Sequence, residues 1–338
     1  MIKNILVTGG AGYIGSHLYI SLIENNYNPI ILDNFIGSHK NVIKNISELI
    51  GQNINIINGD ACNKNTVKEI ILDYKVSSVI HLAAHKSVEE STKYPMMYYD
   101  NNIGSILGVL SAMSESDCKK IIFSSSACVY GDSPKSPIQE DSNRVYSNPY
   151  AHTKIISEDI IKYISHKNAN MRYAILRYFN PAGAHKSGII GEHINENSKN
   201  LFPIISKVIN GDLDRIEIYG SDYDTNDGTP IRDFIHIEDL VEGHVEALSY
   251  LFNQNKNIVV NLGTGTGITV LETIKTYESY LGKKINYIFK DRRSGDASVN
   301  YADANLAKKL LKWSTKRDII DICKSSILWN KNYPNGYS

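Results

Sequence analysis

Ser124, Ser125 and Ser126 close a short apolar run, Tyr150 follows twenty-four residues beyond Ser126, and Lys154 stands four residues further on. Those side chains can move a proton. In a helix, positions i and i+4 share a face, so this spacing sets an ammonium beside a phenol. A free tyrosine with a pKa near ~10 is only about 0.1% ionised at pH 7, and lowering it by three units takes ~4 kcal/mol. A neighbouring cation shifts an acid by roughly one to three units, which makes Tyr150 a candidate base. The spacing alone is not diagnostic, because Tyr163 with Lys167 and Tyr280 with Lys284 share it. Those two read as surface helix pairs, since neither follows a strand that carries a serine.

A second group of residues suits a dinucleotide. Thr8-Gly9-Gly10-Ala11-Gly12-Tyr13-Ile14-Gly15 ends one apolar run and opens a helical pattern. Glycines there allow a tight turn and a close approach of the backbone to a pyrophosphate, which the N–H groups and dipole of the helix start then bind. Asp33 ends the next apolar run, twenty-one residues after Gly12. A carboxylate at that spacing accepts hydrogen bonds from the adenosine ribose and repels a 2′-phosphate, so it selects NAD over NADP. Asp60, after the third run, is expected at the adenine edge by the same logic.

The elements that must position these groups alternate in type. Asn4–Thr8, Asn28–Leu32, Ile54–Asn58, Ser78–Ala83, Lys119–Ser125 and Arg172–Arg177 read as strands, being short and mostly apolar or β-branched. Helices are expected at Gly12–Asn25, Lys64–Lys75, Pro95–Ser114, Pro149–His166 and Glu238–Phe252. Repeated β-α units of this kind predict an α/β fold with a Rossmann-type, doubly wound parallel sheet. After Asn180-Pro181 the pattern breaks into loops rich in Gly, Asn and Asp. A domain change is therefore expected near residue 180, with 231–265 returning to the first sheet.

Composition narrows the partners. Hydrophobic residues at 42% and charged residues at 21% exclude disorder, collagen-like repeats and coiled coil. Thirty-six basic residues balance thirty-six acidic ones, so no global field exists to attract nucleic acid or an anionic membrane. Cys62, Cys118, Cys128 and Cys323 lack Cys-x-x-Cys spacing, which predicts neither a disulfide framework nor a metal site. With no signal-peptide pattern and no apolar span, a cytoplasmic protein is expected.

The glycine loop, Asp33, Phe123-Ser124-Ser125-Ser126 with Val129-Tyr130-Gly131, and Tyr150 with Lys154 together resemble the extended short-chain dehydrogenase/reductases, among them the UDP-galactose 4-epimerases. The similarity continues through Leu176-Arg177-Tyr178-Phe179-Asn180-Pro181, the segment Gly228-Thr229-Pro230-Ile231-Arg232-Asp233-Phe234-Ile235-His236, Asn261-Leu262-Gly263, and Arg292-Arg293-Ser294-Gly295-Asp296. It covers nearly the whole chain.

The resemblance implies a UDP-hexose substrate and a tightly held NAD that takes a hydride from sugar carbon 4 while Tyr150 takes the hydroxyl proton and Ser126 shares that hydrogen bond. The 4-keto sugar then turns and is reduced on its other face. Residues 1–180 would form the NAD-binding domain and 181–338 a smaller α/β lobe for the nucleotide sugar. Lys154 would also hold the nicotinamide ribose. By the same resemblance the cofactor site would draw on Gly9, Gly12, Tyr13, Ile14, Gly15, on Asp33 with Asn34, Phe35, Ile36, Gly37 and Ser38, and on Asp60 and Ala61. Leu82, Ala83, Ala84, Lys86, Asn101 and Phe179 would complete it. Ser126, Asn180, Asn200, Leu201, Tyr219, Arg232, Arg293 and Asp296 would meet the nucleotide sugar. The two arginines suit a diphosphate, since each guanidinium offers paired donors. Asn300 falls at the family's size gate, where a tyrosine restricts relatives to unsubstituted hexoses, and it predicts partial acceptance of N-acetylhexosamines. Pro95–Ser114 and Pro149–His166 resemble the helix pair through which the family dimerises, with Ile106, Leu110, Ile156 and Ile160 as candidate contacts.

Three other readings compete. A 4,6-dehydratase needs an added acid and base, and related dehydratases carry Asp-Glu where this chain has Ala127-Cys128. A carbon-6 dehydrogenase relies on a cysteine nucleophile, and Cys128 lies near in sequence. A regulator that only senses NAD would not need Ser126, Tyr150 and Lys154 together.

Overall fold

Parallel strands buried on both faces need near-continuous apolar runs, and the first half of the chain supplies them between amphipathic helices. Strands β1 (Lys3–Thr8), β2 (Tyr27–Asp33), β3 (Ile56–Asn58), β4 (Ser78–His81), β5 (Lys120–Ser126) and β6 (Arg172–Tyr178) alternate with helices α1 (Tyr13–Glu24), α2 (Asn41–Ile50), α3 (Lys64–Asp73), α4 (Val88–Lys93), α5 (Pro95–Ser114) and α6 (Pro149–Lys167). Beyond them come β7 (Asn180–Ala182), α7 (Leu201–Asn210), β8 (Ile216–Tyr219), β9 (Ile231–Arg232), β10 (Phe234–His236), α8 (Ile237–Asn253) and β11 (Ile258–Leu262). The chain ends through β12 (Ile268–Thr269), α9 (Val270–Leu281), β13 (Tyr287–Lys290), β14 (Val299–Asn300), α10 (Asn305–Leu311) and α11 (Ile319–Asn332). This computed structural model describes residues 2–132, 135–194, 198–293 and 297–337.

Seven strands form one parallel sheet in the order β11-β6-β5-β4-β1-β2-β3. The order reverses between β1 and β4, and in open α/β sheets ligands bind beyond the carboxyl ends of the strands at such a point. β11 joins at Ile258↔Ala174 through Leu262↔Tyr178, so part of segment 231–265 lies in this sheet. On one face Leu18, Leu22, Leu240, Leu248 and Leu251 of α1 and α8 pack on Ile5, Val7, Ile122 and Leu176. Across the sheet, Val67, Ile70, Ile106, Val109, Leu110 and Ile161 of α3, α5 and α6 pack on Leu6, Ile30, Val79 and Ile121.

The expected strands and helices recur with shifts of one or two residues at most ends. Helix α1 starts at Tyr13 because Gly12 is its N-cap, and β4 stops at His81, two residues before the expected end. Helices α2, α4, α7, α9, α10 and α11 lie outside the expected set. α2 carries three polar residues in its first five, yet it buries Val42 and Ile46 against Tyr19 and Ile31 and ends on the left-handed Gly51. In the second half the small sheets β10-β7, β12-β9-β14 and β13-β8 gather around a separate core of Phe202, Ile205, Ile218, Phe234, Tyr277 and Ile322.

Candidate active site

Helix α6 begins where its sequence dictates. Asn148 caps it, its side-chain oxygen accepting from the Ala151 N–H at 2.9 Å, and Pro149 occupies the first helical position. Tyr150 therefore falls in the first turn and Lys154 one turn below, beside the end of β5. There Ser126 leaves the sheet in an extended conformation, and its hydroxyl accepts from the Cys128 N–H at 3.2 Å, capping the short 3-10 turn Ala127–Tyr130.

The Lys154 ammonium donates to the Ser124 carbonyl at 2.8 Å and stands 5.0 Å from the Phe123 ring centre and 5.8 Å from that of Tyr150. Burial lowers its pKa to about 8, with the Cys128 thiol and the Glu158 carboxylate pulling the other way. Burial pushes the Tyr150 phenol above its ordinary value, against a lowering contribution from the Ser126 hydroxyl. A base at neutral pH thus requires positive charge beyond Lys154, and a nicotinamide ring carries one.

Below Lys154, on the same face of α6, lies a residue that the sequence did not single out. Glu158 is fully buried and takes Nε (2.9 Å) and Nη2 (2.7 Å) of Arg177, the Ser125 hydroxyl (2.7 Å), Lys162 Nζ (3.2 Å) and Arg144 Nη1 (3.3 Å). Although burial raises its pKa, the paired Arg177 guanidinium holds it at about 2. Arg177 also donates to the Tyr130 hydroxyl (2.9 Å) and the Glu140 carbonyl (2.8 Å), and Tyr130 donates to Asn261 Oδ1 (2.6 Å). The group fastens α6, β5, β6 and β11 together directly behind the serine run. Its signal was present, since Tyr150, Lys154 and Glu158 repeat at intervals of four.

At the β1/β4 switch point a cleft of about 1310 Å³ opens. Gly9, with φ +70°, leaves only 2.8 Å between a built Cβ and the Ala83 nitrogen, and a Cβ at Gly15 would stand 2.5 Å from the Gly9 carbonyl. Only glycine fits either position. Gly12 lines the cleft, and α1 starts there with no side-chain cap, so the N–H groups of its first turn are open to an anion. Asp33 ties the loops together, accepting from the Ala11 N–H (2.9 Å), the Phe35 N–H (2.8 Å) and the Ser38 hydroxyl (2.9 Å). Two carboxylate oxygens carry four lone pairs, which leaves capacity for a ribose hydroxyl. These features fit a dinucleotide.

The cleft is lined by Gly9, Gly12, Tyr13, Ile14, Gly15, Asp33, Asn34, Ile36, Gly37, Ser38, Asp60, Ala61, Leu82, Ala83, Ala84, Lys86 and Asn101, all expected at a cofactor. Asn180, Asn200, Tyr219 and Arg293, expected at the nucleotide sugar, line it too, and the Arg293 guanidinium lies 3.8 Å from the Tyr219 ring centre. Other expected residues lie apart from that lining, among them Ser126, Tyr150 and Lys154, whose corner reaches the cleft through Ser124. Phe35 turns away at φ +59° with Lys40 over its ring, and Phe179 is buried against Ala127, Val129 and Tyr130 behind the strand end. Leu201 starts α7 and packs on the second core. Arg232 donates to the Ala297 carbonyl at 2.9 Å, and Asn300 is its neighbour across β9 and β14. Asp296 lies outside the described residues. Cleft residues that the sequence did not point to include His39, Glu192, His193 and Tyr337, which carry no local motif. Among the described residues no group of three or more His, Cys, Asp or Glu side chains could hold a metal ion, and no helix is long and apolar enough to cross a membrane.

This geometry has close parallels. The family model described as "NAD dependent epimerase/dehydratase family" matches residues 5–263. The chain is 41% identical to UDP-glucose 4-epimerase of Bacillus subtilis (strain 168) over 333 residues, 98% of each protein. Its structure is similar to that of UDP-glucose 4-epimerase from Bifidobacterium longum in complex with NAD+ and UDP, with a TM-score of 0.94 and 40% identity over 99% of this chain and 100% of that one. It is also similar to UDP-glucose-4-epimerase from Stenotrophomonas maltophila with bound NAD and formylated UDP-arabinopyranose, with a TM-score of 0.96 and 37% identity over 98% of each chain. With the glycine loop, Asp33 and the Ser126–Tyr150–Lys154 corner on one framework, the chain belongs to the NAD-dependent epimerase/dehydratase family.

Proposed function

We propose that this protein is a 4-epimerase that interconverts UDP-glucose and UDP-galactose, with UDP-N-acetylhexosamines as further substrates. The observation that carries the reading is the meeting of Tyr150, Lys154 and the end of β5 beside a dinucleotide cleft, in a chain about two-fifths identical to UDP-glucose 4-epimerases over nearly its full length. The glycine loop and the open start of α1 would hold the NAD diphosphate, and Asp33 the adenosine ribose. When bound, NAD supplies an acceptor and donor of hydride at sugar carbon 4. Tyr150 takes the proton of the 4-hydroxyl and later returns it, and Ser126 hydrogen-bonds the same oxygen. Lys154, charged below about pH 8, stabilises the phenolate and holds the nicotinamide ribose.

Arg232 and Arg293 would neutralise the UDP diphosphate, and Asn180, Asn200, Leu201, Tyr219 and Asp296 would orient the nucleotide and sugar. Asn300 leaves more room than a tyrosine beside Arg232. Tyr301, its neighbour, does not take that room, because a Cβ at Gly267 would stand 3.1 Å from Tyr301 Cδ1, which puts the Tyr301 ring against Gly267.

The rival chemistries lack their groups. Ala127 and Cys128 offer no acid or base for elimination. Burial pushes the Cys128 thiol up, away from the thiolate a dehydrogenase nucleophile must be. A homodimer through α5 and α6 is part of the proposal, with a correction to its contacts. Ile106 and Leu110 belong to the core, whereas Met96, Met97 and Leu107 of α5 and Tyr163 of α6 are exposed.

The test is to incubate the purified protein, with no added cofactor, separately with UDP-galactose and UDP-N-acetylgalactosamine, and to follow the anomeric protons to equilibrium. Interconversion of both is expected. Conversion of UDP-galactose alone would refute the open gate at Asn300, and no conversion of either, even with NAD supplied, would refute the epimerase.

A further inference from the structure

The cofactor cleft has two walls, and side chains reach across it. From the parallel-sheet side come His39, which follows the loop ordered by Asp33, and Lys86, which follows β4. The opposite wall is the segment 191–193 together with Tyr337. Lys86 Nζ pairs with Glu192 Oε1 at 2.9 Å. The His39 ring lies 5.1 Å from that of His193 and 6.4 Å from that of Tyr337, nearly parallel to the latter at 20°. Both bridges therefore join the walls of one cleft.

The far wall is itself firmly held. Tyr337 is only 4% exposed, and its hydroxyl accepts from the Gly191 N–H and donates to the Gly191 carbonyl, each at 3.1 Å. Its own N–H donates to His193 Nδ1 at 3.2 Å, and its ring packs 4.9 Å from Trp329. Gly336 is required in that approach, because at φ +70° a built Cβ would stand 2.5 Å from His193 Nδ1.

We propose that Tyr337, Glu192 and His193 form a clasp that closes over the bound dinucleotide through His39 and Lys86 and slows its release. The inference rests on the proposed reading of this cleft as an NAD site. Its value to the reaction is direct. Epimerisation removes and restores one hydride on one enzyme, so a cofactor that left between the two half-reactions would strand an oxidised sugar. A catalyst of that kind gains from every contact that lowers the off-rate without touching the reacting atoms. Lys86 stands largely exposed, so the ionic bridge is the weaker half of the clasp, and salt screens it. The aromatic half, anchored by a buried tyrosine, is the stronger.

The experiment uses the full chain with its retained NAD, exchanged against an excess of deuterated NAD and sampled by mass spectrometry over time. Tyr337→Ala is expected to accelerate exchange by about tenfold or more, since off-rates carry most of the effect of such contacts. Glu192→Gln is expected to accelerate it roughly two- to fivefold, as a partly exposed ion pair allows. Raising the salt concentration should speed exchange from the unaltered protein and leave Glu192→Gln unaffected, a response that mere packing would not give. If Tyr337→Ala fails to fold, Glu192→Gln and its salt response carry the test, because that change removes a charge and almost no volume. Folded variants that exchange NAD at the unaltered rate overturn the clasp alone. An unaltered protein that neither retains nor takes up NAD overturns the clasp and the proposed function together.

Discussion

Behind the serine run, Glu158 and Arg177 meet in a paired contact, both almost wholly buried, with Ser125, Arg144 and Lys162 completing the carboxylate's partners. On the wall proposed for the nucleotide sugar, Arg293 lies over Tyr219, and the adjacent Arg292 pairs with an exposed Asp222 at 2.7 Å. One region is tied fast because a buried charge is tolerable only when it is paired and hydrogen-bonded, and loss of the buried Arg177 partner leaves a penalty of several kcal/mol. The other is held by contacts that stand in water and are screened by it. The difference matches the chemistry proposed for each. A proton moves only over hydrogen-bond distance, so Tyr150 and Ser126 need a fixed base. A ketosugar that must present both faces needs a wall that can give way.

The comparison can be broken most sharply at Tyr150. Replacement with Phe is expected to lower kcat by about 10³-fold, while NAD extracted from the purified protein stays at the unaltered level; undiminished turnover would remove Tyr150 from the chemistry. Glu158→Ala comes next in size. It should destabilise the fold by roughly 3–5 kcal/mol in urea unfolding, because it strands the Arg177 guanidinium, and a loss under 1 kcal/mol would show that the rigid corner is not rigid through this pair.

Glu158 also predicts a pH dependence. Its folded pKa of about 2 lies below the ordinary glutamate value near 4.5, so its stabilisation is complete above that value and fades as pH falls towards 2. Acid unfolding of Glu158→Gln should accordingly show a shallower slope in that range. Lys154 gives the alkaline counterpart. Its ammonium, with a pKa of about 8, is lost as pH rises, so kcat should fall about tenfold per unit above that point; a profile flat to pH 9.5 would contradict the role of its charge. The smallest effect is expected on the adaptable wall. Arg293→Ala should raise KM for UDP-galactose by about tenfold with kcat within a factor of two or three, as loss of one charge-assisted contact implies. An equal fall in kcat would mean that this wall takes part in the chemistry as fully as the corner does.

Much of the rigid corner is legible in the amino-acid sequence. Tyr150 and Lys154 share a helix face by the period of the helix alone, and Asn148-Pro149 marks where that helix starts. Asp33 announces itself by spacing, though not by its work: it orders both the glycine loop and the segment up to Ser38, and those bonds depend on where β1 and β2 lie. Glu158 stays hidden because a glutamate at that interval also suits an exposed helix face, and only burial separates the two. Helix α2 was legible too, since Val42, Ile43, Ile46, Leu49 and Ile50 repeat at the helical period.

What the sequence by itself determined is local: which residues begin and end the elements, which side chains share a face, and where glycine must admit the backbone of a neighbour. Those follow from sterics and hydrogen bonding within a few residues. Tertiary structure alone decided that Arg177 meets Glu158, that Asn300 stands beside Arg232, and that Tyr337 grips Gly191 across 146 residues of chain. No local period encodes such contacts, because they follow from the order in which the strands assemble and from the burial that this order imposes on groups far apart in the chain.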